Sequence, residues 1–220
     1  NAVVTSQSAP SCNGFNNGSI NISVSGGNPA YTYLWSNGST AATLVDNPAA
    51  TTNYSVVFTS VNGCVSPSVS GTIVVKPYPV ITSANDTICF GSSTTLNTNV
   101  DLTGGTYTWA PLAATSASIT VSPAATTTYT VIYNLLGCQD TTSATVLVNP
   151  IPVATTSNAV MCFGDVINLI ASANLPGGSY LWSTTETNDT ISISPATNAN
   201  YTVTYTLNNC TSPAATAQVT

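Results

Sequence analysis

The chain has 220 residues, 43% of them hydrophobic and only 4% charged, with one Lys (Lys76), no Arg, no His, one Glu (Glu186) and a net charge of −6. A single cation cannot neutralise a phosphate backbone or grip an anionic bilayer, which excludes nucleic acid as a partner; no apolar run reaches the roughly 18 residues of a spanning helix, so no membrane insertion is expected. A Ser or Thr nucleophile would have no His and only a linker Lys for a base, so no catalytic triad is expected; no cofactor is expected either.

Compared with itself, the chain contains one unit three times. The first copy, residues 1–78, opens with Cys12, alternates apolar residues at Ile20, Ile22 and Val24, turns at Gly26-Gly27, and continues through Tyr31, Tyr33 and Trp35. A turn led by Pro48 precedes Tyr54, and Cys64 follows. The second copy, 79–151, repeats this as Cys89, Gly104-Gly105, Trp109, Pro123, Tyr129 and Cys138; the third, 152–220, as Cys162, Gly177-Gly178, Trp182, Pro195, Tyr201 and Cys210. Trp and second Cys are 29, 29 and 28 residues apart, and successive first Cys residues 77 and 73 apart, which chance does not produce. The copies meet at Lys76-Pro77-Tyr78-Pro79 and Asn149-Pro150-Ile151-Pro152, where alternate prolines predict short, stiff, extended linkers and near-collinear domains.

Apolar residues recur with period two, as at Ile119/Val121, Tyr129/Val131/Tyr133 and Tyr201/Val203/Tyr205, the pattern of half-buried strands. About seven such runs per copy, separated by Gly, Pro, Asn and Ser, predict an all-β protein of three tandem immunoglobulin-like antiparallel β-sandwiches. Trp35, Trp109 and Trp182 fall on the strand whose Trp fills the sandwich core, a more economical reading than sugar-stacking platforms; Tyr54, Tyr129 and Tyr201 read as corner and core residues.

Six Cys, two per copy, indicate disulfides in an oxidising compartment, and with no His and no close Cys pair they make a poor zinc site. Two pairings stand. One bridge within each copy would join Cys12 to Cys64, Cys89 to Cys138 and Cys162 to Cys210. Each first Cys, however, lies before the second strand and each second Cys in the last hairpin, at opposite ends of a sandwich some ~20 Å long, whereas a disulfide needs Cα atoms within about 7 Å. In a collinear array those ends abut between neighbours, which would pair Cys12 with Cys138 and Cys89 with Cys210, leaving Cys64 and Cys162 for repeats outside the segment. The carboxylates Asp165, Glu186 and Asp189 are nominal glycosidase partners but read as turn residues, and no Asp-rich loop has calcium-ligand spacing.

Residues 79–220 resemble immunoglobulin-like repeats of giant proteins secreted by the Bacteroidetes type IX system. The resemblance rests on Cys89-Phe90-Gly91 and Cys162-Phe163-Gly164, Tyr107-Thr108-Trp109 and Tyr180-Leu181-Trp182, Ser122-Pro123-Ala124-Ala125-Thr126-Thr127-Thr128-Tyr129, and Asn149-Pro150-x-Pro152. The first copy is similar to repeats of gliding-motility adhesins through Ser25-Gly26-Gly27-Asn28-Pro29, Tyr31-Thr32-Tyr33-Leu34-Trp35-Ser36-Asn37-Gly38 and Asn62-Gly63-Cys64, but lacks the acidic run those repeats carry before that Cys. The resemblance implies secretion to the bacterial cell surface and a structural role as adhesin, stalk or filament. Resemblance to Bacteroidetes O-glycosylation sites, in which Asp precedes Ser or Thr and then an apolar residue or Thr, marks Thr87, Thr141 and Thr190, expected in turns.

Two functions follow. In the first, the chain is a non-enzymatic structural segment whose partners are neighbouring repeats of a longer chain, or further copies through open strands such as 2–5 or 216–220; both ends read as cuts through a repeat array. In the second it is a binding module that grips a surface polysaccharide or a cell through loops that differ between copies, with Leu112–Ser118 the place to look.

Overall fold

The computed structural model describes residues 2–9, 12–15, 17–26 and 29–220, and every regular element among them is a strand. Gly27 and Asn28 of the Ser25-Gly26-Gly27-Asn28-Pro29 run lie outside the described residues. Chain contacts divide the molecule into two compact units, one of Asn1–Ser83, Thr98–Ala117 and Thr130–Ser143, the other of Ala84–Asn97, Ser118–Tyr129 and Ala144–Thr220.

The first copy supplies β1 (Ala2–Ser8), β2 (Gly18–Val24), β3 (Tyr31–Trp35), β4 (Thr43–Asp46), β5 (Thr52–Ser60) and β6 (Val69–Ile73), paired as β1-β2-β4 and β3-β5-β6. One core takes side chains from both sheets: Ile20 and Leu44 from the first, Trp35, Tyr54, Val56 and Ile73 from the second. That shared interior makes the pair a sandwich.

The second copy supplies β7 (Ile81–Ser83), β8 (Asp86–Cys89), β9 (Thr94–Val100), β10 (Thr106–Ala110), β11 (Ser118–Val121), β12 (Thr127–Leu135) and β13 (Cys138–Asn149), ordered β7-β9-β11 and β10-β12-β13-β8. The third supplies β14 (Ala154–Thr156), β15 (Ile167–Ala173), β16 (Ser179–Trp182), β17 (Thr190–Ile193), β18 (Ala199–Leu207), β19 (Cys210–Thr211) and β20 (Ala215–Val219), ordered β14-β15-β17 and β16-β18-β19 with β20 also on β18. Leu169, Ala171 and Ile191 of one sheet meet Trp182, Val203 and Ala217 of the other. The fold is therefore all-β, three successive immunoglobulin-like sandwiches.

The antiparallel expectation needs one correction. After pairing with β9 through β7, the chain changes sheets, and β8 runs parallel to the last strand, Asp86 opposite Val146 through Cys89 opposite Asn149. Ala159 and Val219 form the matching parallel bridge in the third copy. A strand that crosses between sheets leaves backbone groups to satisfy, and an amide side chain does so: Asn85 Oδ1 accepts from Thr145 N–H at 2.8 Å and Asn158 Oδ1 from Gln218 N–H at 2.8 Å. In the first copy Gln7 Oε1 takes the equivalent bond from Thr72 N–H at 2.9 Å.

Trp35, Trp109 and Trp182 are each at most 2% exposed. Burying a side chain of this size removes about 150–250 Å² from water, roughly 4 to 6 kcal/mol at about 25 cal/mol/Å². Each indole N–H is satisfied by a carbonyl of the following loop: Ala41 at 2.8 Å, Ser116 at 2.9 Å and Asn188 at 2.9 Å. The Trp thus plugs the core and holds the loop beside it.

Four residues before the Trp, the copies use two packing solutions. Gly105 and Gly178 lie against the rings of Tyr133 and Tyr205, donating N–H to the phenol oxygens at 2.8 and 2.6 Å, and Tyr133 in turn donates to Leu102 O at 2.7 Å. A Cβ at Gly105 would collide with the Asn134 carbonyl and come within 2.6 Å of the Tyr133 ring. In the first copy Tyr31 holds the glycine's position and Phe58 the tyrosine's, their rings edge-on at 5.5 Å, and Tyr31 donates instead to Gly26 O at 2.9 Å.

Candidate functional site

The cysteines are joined across copies. Cys12 is bonded to Cys138 and Cys89 to Cys210, with Cα separations of 5.6 and 5.5 Å; Cys64 and Cys162 are free and exposed. Local structure explains how each half is presented. The residue after the first cysteine is tied to the carbonyl just before its own copy's linker proline: Asn13 N–H to Lys76 O at 2.9 Å, Phe90 N–H to Asn149 O at 2.8 Å. This brings the first-cysteine loop to the exit end of its sandwich. The second cysteine follows a tight hairpin turn whose two residues have positive φ: Leu136-Gly137 at 55° and 91°, Asn208-Asn209 at 49° and 63°. Two left-handed residues match the strand twist and reverse the chain in the least length, so the cysteine stands at the entry end of the next copy.

Each proline linker is also clamped by the copy it enters. Val80 donates N–H to Asp101 Oδ1 at 2.8 Å, and its carbonyl accepts from Asp101 N–H at 3.3 Å. Val153 and Asn174 repeat this at 2.8 and 3.2 Å. Asp140 Oδ2 accepts from Ile81 N–H at 2.9 Å, and at the second junction Asn149 Nδ2 donates to Asn208 O at 3.3 Å. Asp101 and Asn174 were not singled out in the sequence, although both stand eight residues before a Trp, and that equal spacing was the available signal.

The three threonines expected in turns lie in strands instead: Thr87 in β8, Thr141 in β13 and Thr190 opening β17. Thr is β-branched, and the preceding Asp turns its carboxylate onto the backbone, Asp86 Oδ1 accepting from Thr87 N–H at 2.7 Å and Asp140 Oδ1 from Thr141 N–H at 2.8 Å, which is compatible with extended chain. Asp86 also accepts from the Thr94 hydroxyl; that bond first, and the Thr87 N–H second, hold its carboxyl below the ordinary value. Thr87 and Thr141 are exposed, while Thr190 is half-buried with its hydroxyl on Asp189 Oδ1 at 3.1 Å.

Asp165, Glu186 and Asp189 serve their own loops. Asp165 Oδ2 accepts from Cys162 N–H at 3.2 Å, and the Glu186 and Asp189 carbonyls accept from Trp182 and Ala171 N–H at 2.9 and 2.7 Å. Among the described residues no group of His, Cys, Asp and Glu side chains is placed to hold a metal, and no helix is long and apolar enough to cross a membrane. In the Leu112–Ser118 loop, Ala114 O and Ser116 O accept from the Trp109 backbone and indole N–H.

Sandwiches in series, stapled by cystines and clamped at their linkers, make the chain a tandem array of immunoglobulin-like repeats. Residues 4–40 match the SprB repeat, a repeat of Bacteroidetes gliding-motility adhesins and a structural rather than an enzyme family. The cystines are the sulfur chemistry of an extracytoplasmic protein. Among solved structures the chain is similar to the titin I-band fragment I67–I69 (11% identity, 92% of this chain and 91% of that one, TM-score 0.43) and to Drosophila OTK extracellular domains 3–5 (8%, 88% and 86%, 0.42). It is also similar to the three N-terminal domains of the bacteriophage RB49 highly immunogenic outer capsid protein (15%, 100% and 99%, 0.40). No curated protein matches the chain.

Proposed function

We propose that this chain is a structural segment of an extracellular adhesin, stalk or filament on a bacterial surface, carrying no chemistry of its own and serving to hold a functional part away from the cell. The carrying observation is the pair of cystines that join each copy to the next, since a binding module has no need of covalent links between successive domains. The SprB repeat over residues 4–40 supports placement at the cell surface. Its partners under this reading are neighbouring repeats of the same kind.

The test is antibody against the purified segment, applied to intact and to permeabilised cells of the source organism, together with the segment on a polysaccharide array. Labelling of intact cells, removed by external protease, with no glycan bound, is the expected result. Labelling that requires permeabilisation would overturn the surface role, and saturable binding of one glycan class would favour the binding module.

A further inference from the structure

The two free cysteines occupy the same places in their copies as the bonded ones. Cys162-Phe163-Gly164 repeats Cys89-Phe90-Gly91 at the head of the loop, and Cys64 stands after the last hairpin as Cys138 and Cys210 do, following a turn one residue longer in which Ser60 N–H bonds to Cys64 O at 3.0 Å. What differs is cover. Cys138 and Cys210 are 0% and 1% exposed where Cys64 is exposed, and Cys89 is half-buried where Cys162 is exposed; each free cysteine lies at the edge of a cavity. The cavity beside Cys64 is about 520 Å³, lined in part by Tyr31, Phe58, Val65 and Pro67. Around Cys162, Val160 and Phe163 are 83% and 87% exposed, while Phe90, the counterpart of Phe163 beside a formed cystine, is 54% exposed.

We infer that Cys162 and Cys64 are the two complementary halves of a further staple, and that the occupant of each end is another repeat of this same class. Cys162 takes the hairpin cysteine of a following repeat, and Cys64 takes the loop cysteine of a preceding one. The polarity comes from the bonds already formed, both of which run from a first cysteine to the second cysteine of the next copy. Each new bond removes two protons and two electrons from its pair of thiols; a small-molecule disulfide supplies the oxidant and leaves as two thiols. The inference rests on the repeat-segment reading above, but the cross-linking test reads cysteine pairing alone and is independent of cell-surface placement.

A second copy of the chain is the probe. The single variants C64S and C162S, each retaining one free thiol and carrying different mass labels, are mixed in equal amounts and equilibrated in oxidised and reduced glutathione, and the dimers are mapped by peptide mass spectrometry. Intact Cys12–Cys138 and Cys89–Cys210 peptides verify folding in the same run. Cys162–Cys64 dimers should exceed each homotypic dimer by at least about tenfold, and the unsubstituted chain should give a ladder joined by that bond alone. Heterotypic dimers at the half share set by chance, or glutathione adducts with no protein dimer, would overturn the inference.

Discussion

The interlocked cystines limit how far the chain can be drawn out, and the limit can be calculated. With Cys12 bonded to Cys138 and Cys89 to Cys210, a fully unfolded molecule pulled by its ends carries load through the shortest covalent path. That path enters at Cys12, crosses to Cys138, runs backwards along the 49 steps to Cys89 and crosses to Cys210, with 11 steps before and 10 after. At about 3.5 Å per residue the 70 steps allow roughly 240 Å, against roughly 770 Å for the 219 steps of the reduced chain. Single-molecule pulling should use the C64S/C162S double variant, which leaves both cystines intact and prevents cross-links between molecules. One bridge within each copy would leave that variant only the loop from Cys89 to Cys138 closed, giving 170 extensible steps, or roughly 600 Å. A contour near 600 Å would refute the connectivity, as would a C12S chain failing to lengthen to the 98 steps, roughly 340 Å, that the Cys89–Cys210 bond alone allows.

Gly105→Ala should destabilise the second sandwich by about 2 to 4 kcal/mol, because overpacking adds to a displaced Tyr133 hydrogen bond; hydrogen exchange of peptides spanning 105–110 and 127–135 reads the loss locally. Asp101→Ala removes the side-chain half of the first linker clamp and should cost about 1 to 2 kcal/mol, seen as faster exchange at Val80 and Ile81 with the Val153 linker unchanged. The Asp86 carboxyl, held low by Thr94 and the Thr87 N–H, contributes stability that is present above the unfolded carboxylate value near 3.9 and is lost as pH falls through the lower folded value. Thr94→Val should move the Asp86 titration, followed by carboxyl-carbon NMR, up towards the ordinary value, and an unmoved midpoint would contradict the assignment of cause.

Features that repeat as residue types were legible in the sequence: the Trp, the Pro-led turns, the period-two strands and the cysteine spacing. The geometric conflict within a copy was also visible, because strand length and cystine reach are general quantities. What stayed hidden depends on partners far apart in the chain that differ chemically between copies. Asp101 and Asn174 perform one task with different side chains, as do Gln7 and Asn85, so aligning the chain with itself shows mismatches where the structure has equivalents. The exchange of Gly105 and Tyr133 for Tyr31 and Phe58 is compensation across a β pair, and each change alone looks like drift. Asp-Thr reads as a turn pair because Asp favours turns; a carboxylate bonded to the next N–H leaves the β-branched Thr free to enter the strand instead.

The composition bears on why the junctions are built this way. Domains in series usually hold their angle with interface area or with charge pairs, but a chain with one Lys and no Arg cannot make an ion-pair network at two junctions, and surface pairs contribute only about 0 to 1 kcal/mol each. Backbone and covalent bonds take over. The linker prolines restrict the chain before any contact forms, the reciprocal bonds at Val80 and Val153 fix its entry, and a cystine closing a loop of 126 or 121 residues contributes about 5 kcal/mol in the chain-entropy model. The loops overlap between residues 89 and 138, so neither can be drawn out completely while the other holds. Reduction should therefore act on the second copy first: it is the one copy tied on both sides, and amide exchange along β9 and β12 should rise more on adding a reductant than exchange along β2 or β15. Equal rises in all three copies would show that the staples hold ends together without stabilising the sandwich between them.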